Sequence, residues 1–205
     1  MAIEPACFQA DLAFTSSHEL YHTIMIQVLS TLKRSDINPL PAYFEKYILQ
    51  VPDIDLYTTL EHSITQVQHL PIATWHALGE LAYAPGKWTV KETLQHLIDT
   101  ERIFTYRAMC FARGDGAEKP SFDEQAYNAL AQANRRSLQE LIDELVVARQ
   151  SFIQLYQSLT TEMLHRHGMS FLGPITVLAI GFLIPGHQQH HLHIIEEKYH
   201  PLLKS

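Results

Sequence analysis

The chain has 205 residues, of which 46% are apolar, and its formal net charge is −7. This length suits one globular domain with a substantial core. The acidic balance and the lack of a long lysine or arginine block disfavour binding to phosphate backbones, so we expect no nucleic-acid partner.

The sequence also bears on the compartment. It has no run of 18 uncharged apolar residues and no basic N-terminal region followed by an apolar run, so we expect neither a membrane span nor a signal peptide. Its two cysteines, Cys7 and Cys110, are too few for a disulfide scaffold. This usage favours a cytoplasmic protein in a reducing environment.

The chain divides into an N-terminal helical extension, residues 1–36, and a helical bundle domain, residues 37–205. In the extension, the capping-box pattern Ser16–Glu19 precedes apolar residues at helical spacing. Prolines then interrupt this pattern, and a short helical piece is expected at 42–49.

Four stretches of apolar residues at helical spacing predict the long helices of the bundle. One begins with a clear capping box, Thr89 with Glu92. The polar segment 114–133 predicts a crossover loop, and 165–174 is expected to be a connection without strands. The helices are expected near residues 54–70, 89–112, 135–159 and 176–199. Together they predict an all-α four-helix bundle.

Thirteen histidines are the unusual feature of the composition. His187 and His191 lie on the apolar stripe of the last predicted helix, where buried rings need partners for both nitrogens. With His96, at the edge of another apolar face, they would form an open metal site. Core histidines with hydrogen bonds, or an exposed cluster at a helix end, fit the same pattern. The pair His18 and His22 has no third candidate nearby, which favours a structural or surface role.

Two carboxylates on the helix of His96 are further candidates. Asp99 follows His96 by one turn and is placed to orient a ring or accept a proton. Glu101 points toward the apolar side of the helix, which is unusual for a glutamate. We therefore expect it to form an ion pair with Arg107 or Arg149.

Three segments resemble one known family. The block Ala84–Arg102, with Trp88 at its helix start, resembles the signature of the DinB-like superfamily of metal-binding bundles, also called YfiT-like metal-dependent hydrolases. The segment Arg107–Tyr127 is similar to that family's loop, and Gly186–Ile195 is similar to its last-helix motif. The resemblance covers roughly residues 38–200.

The resemblance implies an up-down-down-up bundle that is often dimeric, so we expect a homodimer. It implies a divalent metal bound by His96, His187 and His191, and imidazole ligands suit Zn, Ni or Fe. Family members with an activity join low-molecular-weight thiols, such as bacillithiol or mycothiol, to electrophiles. The first hypothesis is therefore a thiol S-transferase with a small-molecule substrate and Asp99 or Tyr127 as proton handler. A metal-dependent hydrolase and a non-catalytic metal-binding stress-response or dimerisation module are the alternatives.

Overall fold

The structure is a computed structural model that describes residues 26–204. In chain order, its α-helices are α1 (Glu45–Ile48), α2 (Leu56–Gln68), α3 (Ile72–Leu78), α4 (Val90–Ala112), α5 (Glu124–Ala131), α6 (Leu138–Gln157), α7 (Thr161–His165) and α8 (Val177–Ile194). Strands β1 (His167–Ser170) and β2 (Gly173–Thr176) form a hairpin. A π-helix, Ile195–Tyr199, continues α8, and 3-10 helices lie at Arg34–Asp36, Ala133–Arg135 and His200–Lys204.

The long helices α2, α4, α6 and α8 form the bundle, and contacts between them fix their directions. Two helices are parallel when residue numbers increase in the same direction along both of them from one contact to the next, and antiparallel when they increase in opposite directions. By this criterion α2 and α8 are parallel, α4 and α6 are parallel, and α4 and α8 are antiparallel. The contacts of α2 with α8 are Leu56–Gly181 and Ser63–Gln188. Those of α4 with α6 are Gln95–Arg136 and Glu101–Arg149. Those of α4 with α8 and its continuation are Trp88–Tyr199 and His96–His187. The bundle therefore runs up-down-down-up, and the parallel pair α4 and α6 requires a long crossover.

The crossover differs from the polar loop that the sequence predicts over 114–133, because it contains α5. The side chain of Asp123 caps this helix by accepting from the backbone N–H groups of Gln125 and Ala126, both at 3.0 Å. Asn128 is the buried residue of α5. This helix has eight residues, which is shorter than the window of about 11–18 residues over which apolar periodicity identifies a helix, so the pattern did not predict it.

The β1–β2 hairpin replaces the plain connection expected at 165–174. Its strands pair antiparallel with four residues each. Gly168 lies against the ring of Phe111, where an added Cβ would be 2.0 Å from the ring Cδ1 atom. Strands this short give no readable alternation in the sequence. Among residues 26–204 this hairpin is the sheet that forms, so the all-α class is confirmed.

Residues 26–36 belong to the predicted extension, and they pack on the bundle. Leu29 is fully buried in the core. The backbone N–H of Leu56, at the start of α2, donates to the carbonyl of Leu32 at 2.8 Å. The domain boundary near residue 36 stays a prediction.

Other predictions for the extension concern residues outside the described range, namely the Ser16 capping box, the pair His18 and His22, and Cys7. Within the described range, residues 26–29 are helical. None of the helices found there combines the length and apolarity needed to cross a membrane.

Candidate metal centre

The three histidines singled out by the sequence meet between α4 and α8. The Nε2 atom of His187 lies 3.2 Å from Nε2 of His96 and 3.1 Å from Nε2 of His191. His187 and His191 are one turn apart on α8, whereas His96 comes from the antiparallel α4. One ring nitrogen of each lies within 4.8 Å of the other two, so the group could hold a metal ion.

These donors fit a divalent ion better than they fit a closed hydrogen-bonded cluster. The single Nε2 of His187 faces two like nitrogens, and it carries either one hydrogen or one lone pair, so it satisfies one contact at a time. Nitrogens about 2.0–2.1 Å from one ion at a nearly tetrahedral angle lie about 3.3 Å apart. The observed spacings of 3.1 and 3.2 Å are close to this value.

Burial keeps the three imidazoles neutral at neutral pH. Burial lowers the pKa of His96 to about 4, and burial with the neighbouring His96 and His190 lowers the pKa of His191 to about 3. Burial also holds the pKa of His187 well below its ordinary value, with a further contribution from the adjacent histidines. Neutral imidazole is the form that binds a metal, so no proton has to be displaced.

Trp88 forms one wall of the site. Its ring centroid lies 4.7 Å from that of His96 and 6.4 Å from that of His191. Its indole N–H donates to Oε1 of Gln125 at 3.1 Å, and its carbonyl accepts from the hydroxyl of Tyr199. The tryptophan is thus held by α5 on one side and by the π-helix after α8 on the other.

Tyr47 of α1 forms a second wall. Its ring packs edge to face against the rings of His187 and His190, with centroids 5.1 Å apart in both pairs. The backbone of α1 approaches α8 closely because residue 186 is glycine. A Cβ at Gly186 would lie 2.0 Å from the carbonyl oxygen of Tyr47. The short helical piece expected at 42–49 therefore contributes to the site, which the sequence did not predict.

The histidines open into a cleft of about 250 Å³. Besides the three rings, its lining includes Tyr47, Trp88, Glu124, Gln125, His190 and Tyr199. His190 is half-buried and its ring packs on that of His191, with centroids 5.2 Å apart. His193 is exposed and contacts Gln189. This separation of the four α8 histidines agrees with the helical wheel.

Asp99 and Tyr127, the predicted proton handlers, are not among the residues that line the cleft. Asp99 accepts from Nε2 of Gln95 at 2.9 Å, and burial raises its pKa. Tyr127 is 50% exposed and packs on Phe122. Among residues 26–204, the carboxylate that lines the cleft is Glu124. The sequence feature that could have located Glu124 is the preceding residue, Asp123, which is a helix N-cap. It lies in the segment 114–133, which was predicted to be a loop.

Comparisons with known proteins agree with this architecture. The family model of the DinB superfamily matches residues 27–195. The solved structure of YfiT from Bacillus subtilis, described as "a probable metal-dependent hydrolase with an unusual four-helix bundle topology", is similar with a TM-score of 0.63. The two chains are 20% identical over 82% of this chain and 90% of YfiT, so the similarity shows the fold alone. No curated protein sequence matches the chain.

Proposed function

The chain belongs to the DinB superfamily, and we propose that it is a divalent-metal enzyme centred on His96, His187 and His191. The observation that carries the proposal is the meeting of three neutral ring nitrogens, two from buried histidines and one from the half-buried His191, at the wall of an open cleft. Three protein ligands leave further coordination positions for a reactant, which is the arrangement of catalytic rather than structural metal sites.

The reaction we propose first is transfer of a low-molecular-weight thiol to an electrophile. When bound, a divalent ion would lower the pKa of a thiol that coordinates it, so that the reactive thiolate is present near neutral pH. Cys110 is buried and does not line the cleft. Cys7 lies outside the described residues, and neither cysteine belongs to the sequence segments Ala84–Arg102 and Gly186–Ile195, which carry the three histidines. We therefore propose that the thiol is a small cofactor, and the cleft beside the histidines offers about 250 Å³ for it and the electrophile.

The residues of the chain have separate roles in this proposal. Trp88 and Tyr47 hold the imidazole rings and exclude water from the sides that they cover. Glu124 presents an exposed carboxylate to the cleft and is placed to accept a proton from the entering nucleophile. This is the role that the sequence analysis gave to Asp99 or Tyr127.

Hydrolysis is the second candidate, and Glu124 is the observation that favours it. A carboxylate in the same cleft as three metal-binding nitrogens suits general-base activation of water. A thiol and water would compete for the same positions, so the two candidates separate experimentally.

The test is a thiol-conjugation assay on metal-loaded protein, with a panel of bacterial thiols and a chromogenic electrophile. The transferase predicts acceleration over free metal with at least one thiol, and a change in the visible spectrum of the cobalt-substituted protein when that thiol is added. Replacing Cys7 and Cys110 together by Ala should preserve activity, whereas Glu124→Gln should lower it more than Asp99→Asn or Tyr127→Phe. Acceleration of ester hydrolysis without thiol would select the hydrolase, and neither activity in metal-loaded protein would select a non-catalytic module.

We also propose that the protein forms a homodimer through the face shared by α4 and α6. This face exposes three large apolar side chains in one shallow groove, Tyr106 at 54%, Met109 at 40% and Val147 at 63%. Burying such side chains between two copies is favourable. Sedimentation should give a dimer that Val147→Glu converts to a monomer, and a monomeric parent protein would refute the proposal.

A further inference from the structure

A second pocket adjoins the histidines and differs in character from the cleft. It has a volume of about 70 Å³ and shares four lining residues with the cleft, namely Tyr47, His96, Glu124 and His187. We call it the aromatic pocket, and define it by Tyr43, Phe44, Phe104, Phe122, Phe171 and Leu183. Its lining is mostly aromatic and aliphatic, and Glu124 lies where it adjoins the cleft, so its interior suits an apolar group that is attached to whatever reacts at the histidines.

The aromatic pocket is held together by specific contacts between separate segments. The rings of Phe44 and Phe104 pack edge to face with centroids 5.7 Å apart. The guanidinium of Arg107 lies 4.7 Å from the ring centroid of Phe104 and 5.7 Å from that of Phe171, and it donates to the carbonyl of Pro120 at 2.7 Å. Arg107 thereby fixes the hairpin and the crossover against α4, so that the pocket is a built feature.

Thr100 supplies the one unusual polar group of this pocket. It lines the pocket, it is 6% exposed, and its buried hydroxyl has no hydrogen-bond partner among the described residues. Two other threonines of α4 behave differently: Thr93 donates to the carbonyl of Thr89 at 3.0 Å, and Thr105 to that of Glu101 at 2.6 Å. Buried hydroxyl groups are nearly always paired, so the unpaired hydroxyl of Thr100 indicates a partner from outside the chain.

We propose that the aromatic pocket binds the short acyl arm of a small substrate, with the Thr100 hydroxyl donating to the acyl oxygen. The inference rests on the proposed function, because it places the reacting end of the substrate at the three histidines. A cavity of about 150 Å³ accommodates benzene. The aromatic pocket has about 70 Å³, so it admits a chain of about two to four carbons and excludes a ring.

The probes for this inference are straight-chain alkyl hydroxamic acids, from acetohydroxamic to octanohydroxamic acid, titrated calorimetrically into metal-loaded protein. The hydroxamate head chelates a metal through its N–O oxygen and its acyl oxygen. The acyl oxygen keeps a lone pair that can accept from the Thr100 hydroxyl, and the alkyl chain has a chosen length. We expect affinity to rise about fourfold for each methylene that enters the pocket and to stop rising beyond about four carbons. Metal analysis after each titration confirms that the ion has stayed in the protein.

Two variants with matched controls locate the effect. Phe171 is 43% exposed, so Phe171→Ala should fold and should move the best chain length upward by one or more carbons. Met169→Ala, at a 45% exposed position of the same hairpin outside the pocket, should leave the best length unchanged. Thr100→Val should weaken binding at every chain length by about fivefold, whereas Thr105→Val should not.

The outcomes separate the inference from the proposed function. The aromatic pocket is not the acyl site if acetohydroxamic acid binds but longer chains bind no more tightly, or if Phe171→Ala and Met169→Ala have the same best chain length. In either case the proposed metal centre is unaffected. If no hydroxamic acid binds to protein that holds metal, both the inference and the open metal centre are wrong.

Discussion

Two clusters of polar side chains are buried in the bundle, and they are satisfied in different ways. In the ion-pair cluster, the two carboxylate oxygens of Glu101 accept from Nε and Nη2 of Arg149 at 2.6 and 3.1 Å, and Arg149 also donates to Ser63. In the histidine cluster, three chemically identical nitrogens face one another. The ion-pair cluster brings opposite charges together and matches hydrogen-bond donors with acceptors. The histidine cluster brings together only imidazole nitrogens.

The difference shows that burial of polar groups does not by itself mark a functional site. The ion-pair cluster completes its interactions inside the chain, so it specifies how α2, α4 and α6 pack. Among residues 26–204 the histidine cluster lacks a complementary partner, and under the proposed function an ion from outside completes it. What distinguishes the two clusters is whether the polar groups find complementary partners among the described residues, and not how deeply they are buried.

The largest expected effect is on metal binding. His96→Ala or His191→Ala should reduce bound metal from about one ion per chain to a trace, because two imidazoles hold a divalent ion far more weakly than three. His193→Ala, whose ring is exposed on the same helix, is the matched control and should keep its metal. Elemental analysis after dialysis measures the content, with circular dichroism to check folding. Full metal content in His191→Ala would show that the histidine cluster does not hold the ion.

The next effect is on stability, at the ion-pair cluster. Glu101→Ala should lower the free energy of unfolding by about 3–5 kcal/mol, because it leaves the Arg149 guanidinium buried and unpaired. The double variant Glu101→Leu with Arg149→Met should recover most of that loss. Urea titration measures both, and each variant that folds should still bind metal. A single variant as stable as the parent would show that the ion pair is not needed to satisfy the core.

A pH dependence should appear in the metal-free protein and should originate in the histidine cluster. His96 and His191 have ordinary pKa values of 6.5, lowered in the fold to about 4 and about 3. Between these values the unfolded chain binds protons that the folded chain does not, so stability falls as the pH falls below 6.5. Each of the two contributes a slope that approaches about 1.4 kcal/mol per pH unit. Urea titrations from pH 7 to pH 4.5 should show a shallower slope for His191→Gln, and an equal slope would be contrary to this assignment.

The smallest effect concerns the wall of the histidine cluster alone. Gly186→Ala places a methyl group against the carbonyl of Tyr47 and should cost about 1–3 kcal/mol. It should also weaken metal binding, because Tyr47 then packs less closely on His187. Calorimetric titration with metal, beside urea titration, measures the two changes. Weaker folding with unchanged metal affinity would mean that Tyr47 plays no part in holding the rings.

The bundle could be predicted from the sequence where strong local signals coincide with buried faces. Thr89 with Glu92, and Ser137 with Glu140, form the capping boxes expected at the starts of α4 and α6. Arg107 could have been excluded as the partner of Glu101, because the two lie six residues apart on one helix and face different sides of it. The pairing with Arg149 could not be predicted, because it depends on the register between α4 and α6. That register is a property of the packed bundle and leaves no local trace in the sequence.

The site was predictable to a similar degree. A helical wheel separates His187 and His191 from His193, because the apolar neighbours define the buried stripe. The walls were not predictable. Tyr47 reaches the site through a close approach at Gly186, and Glu124 comes from a helix of only eight residues whose buried residue is Asn128. Apolar periodicity predicts which side chains of a long amphipathic helix face the core. It cannot do this for side chains on exposed or very short helices.

The wide sequence separation of the three ligands has a consequence for how the protein is assembled. His96 and His187 are 91 positions apart, and the segment between them contains the crossover, α6 and the hairpin. An ion held by both would act as a reversible cross-link that closes a very long loop, and closing such a loop removes freedom mainly from the unfolded chain. The centre cannot form until α8 has docked between α2 and α4. Under the proposed function, metal capture is therefore coupled to the docking of α8, and a chain in which α8 has not docked does not offer the three-histidine centre to an ion.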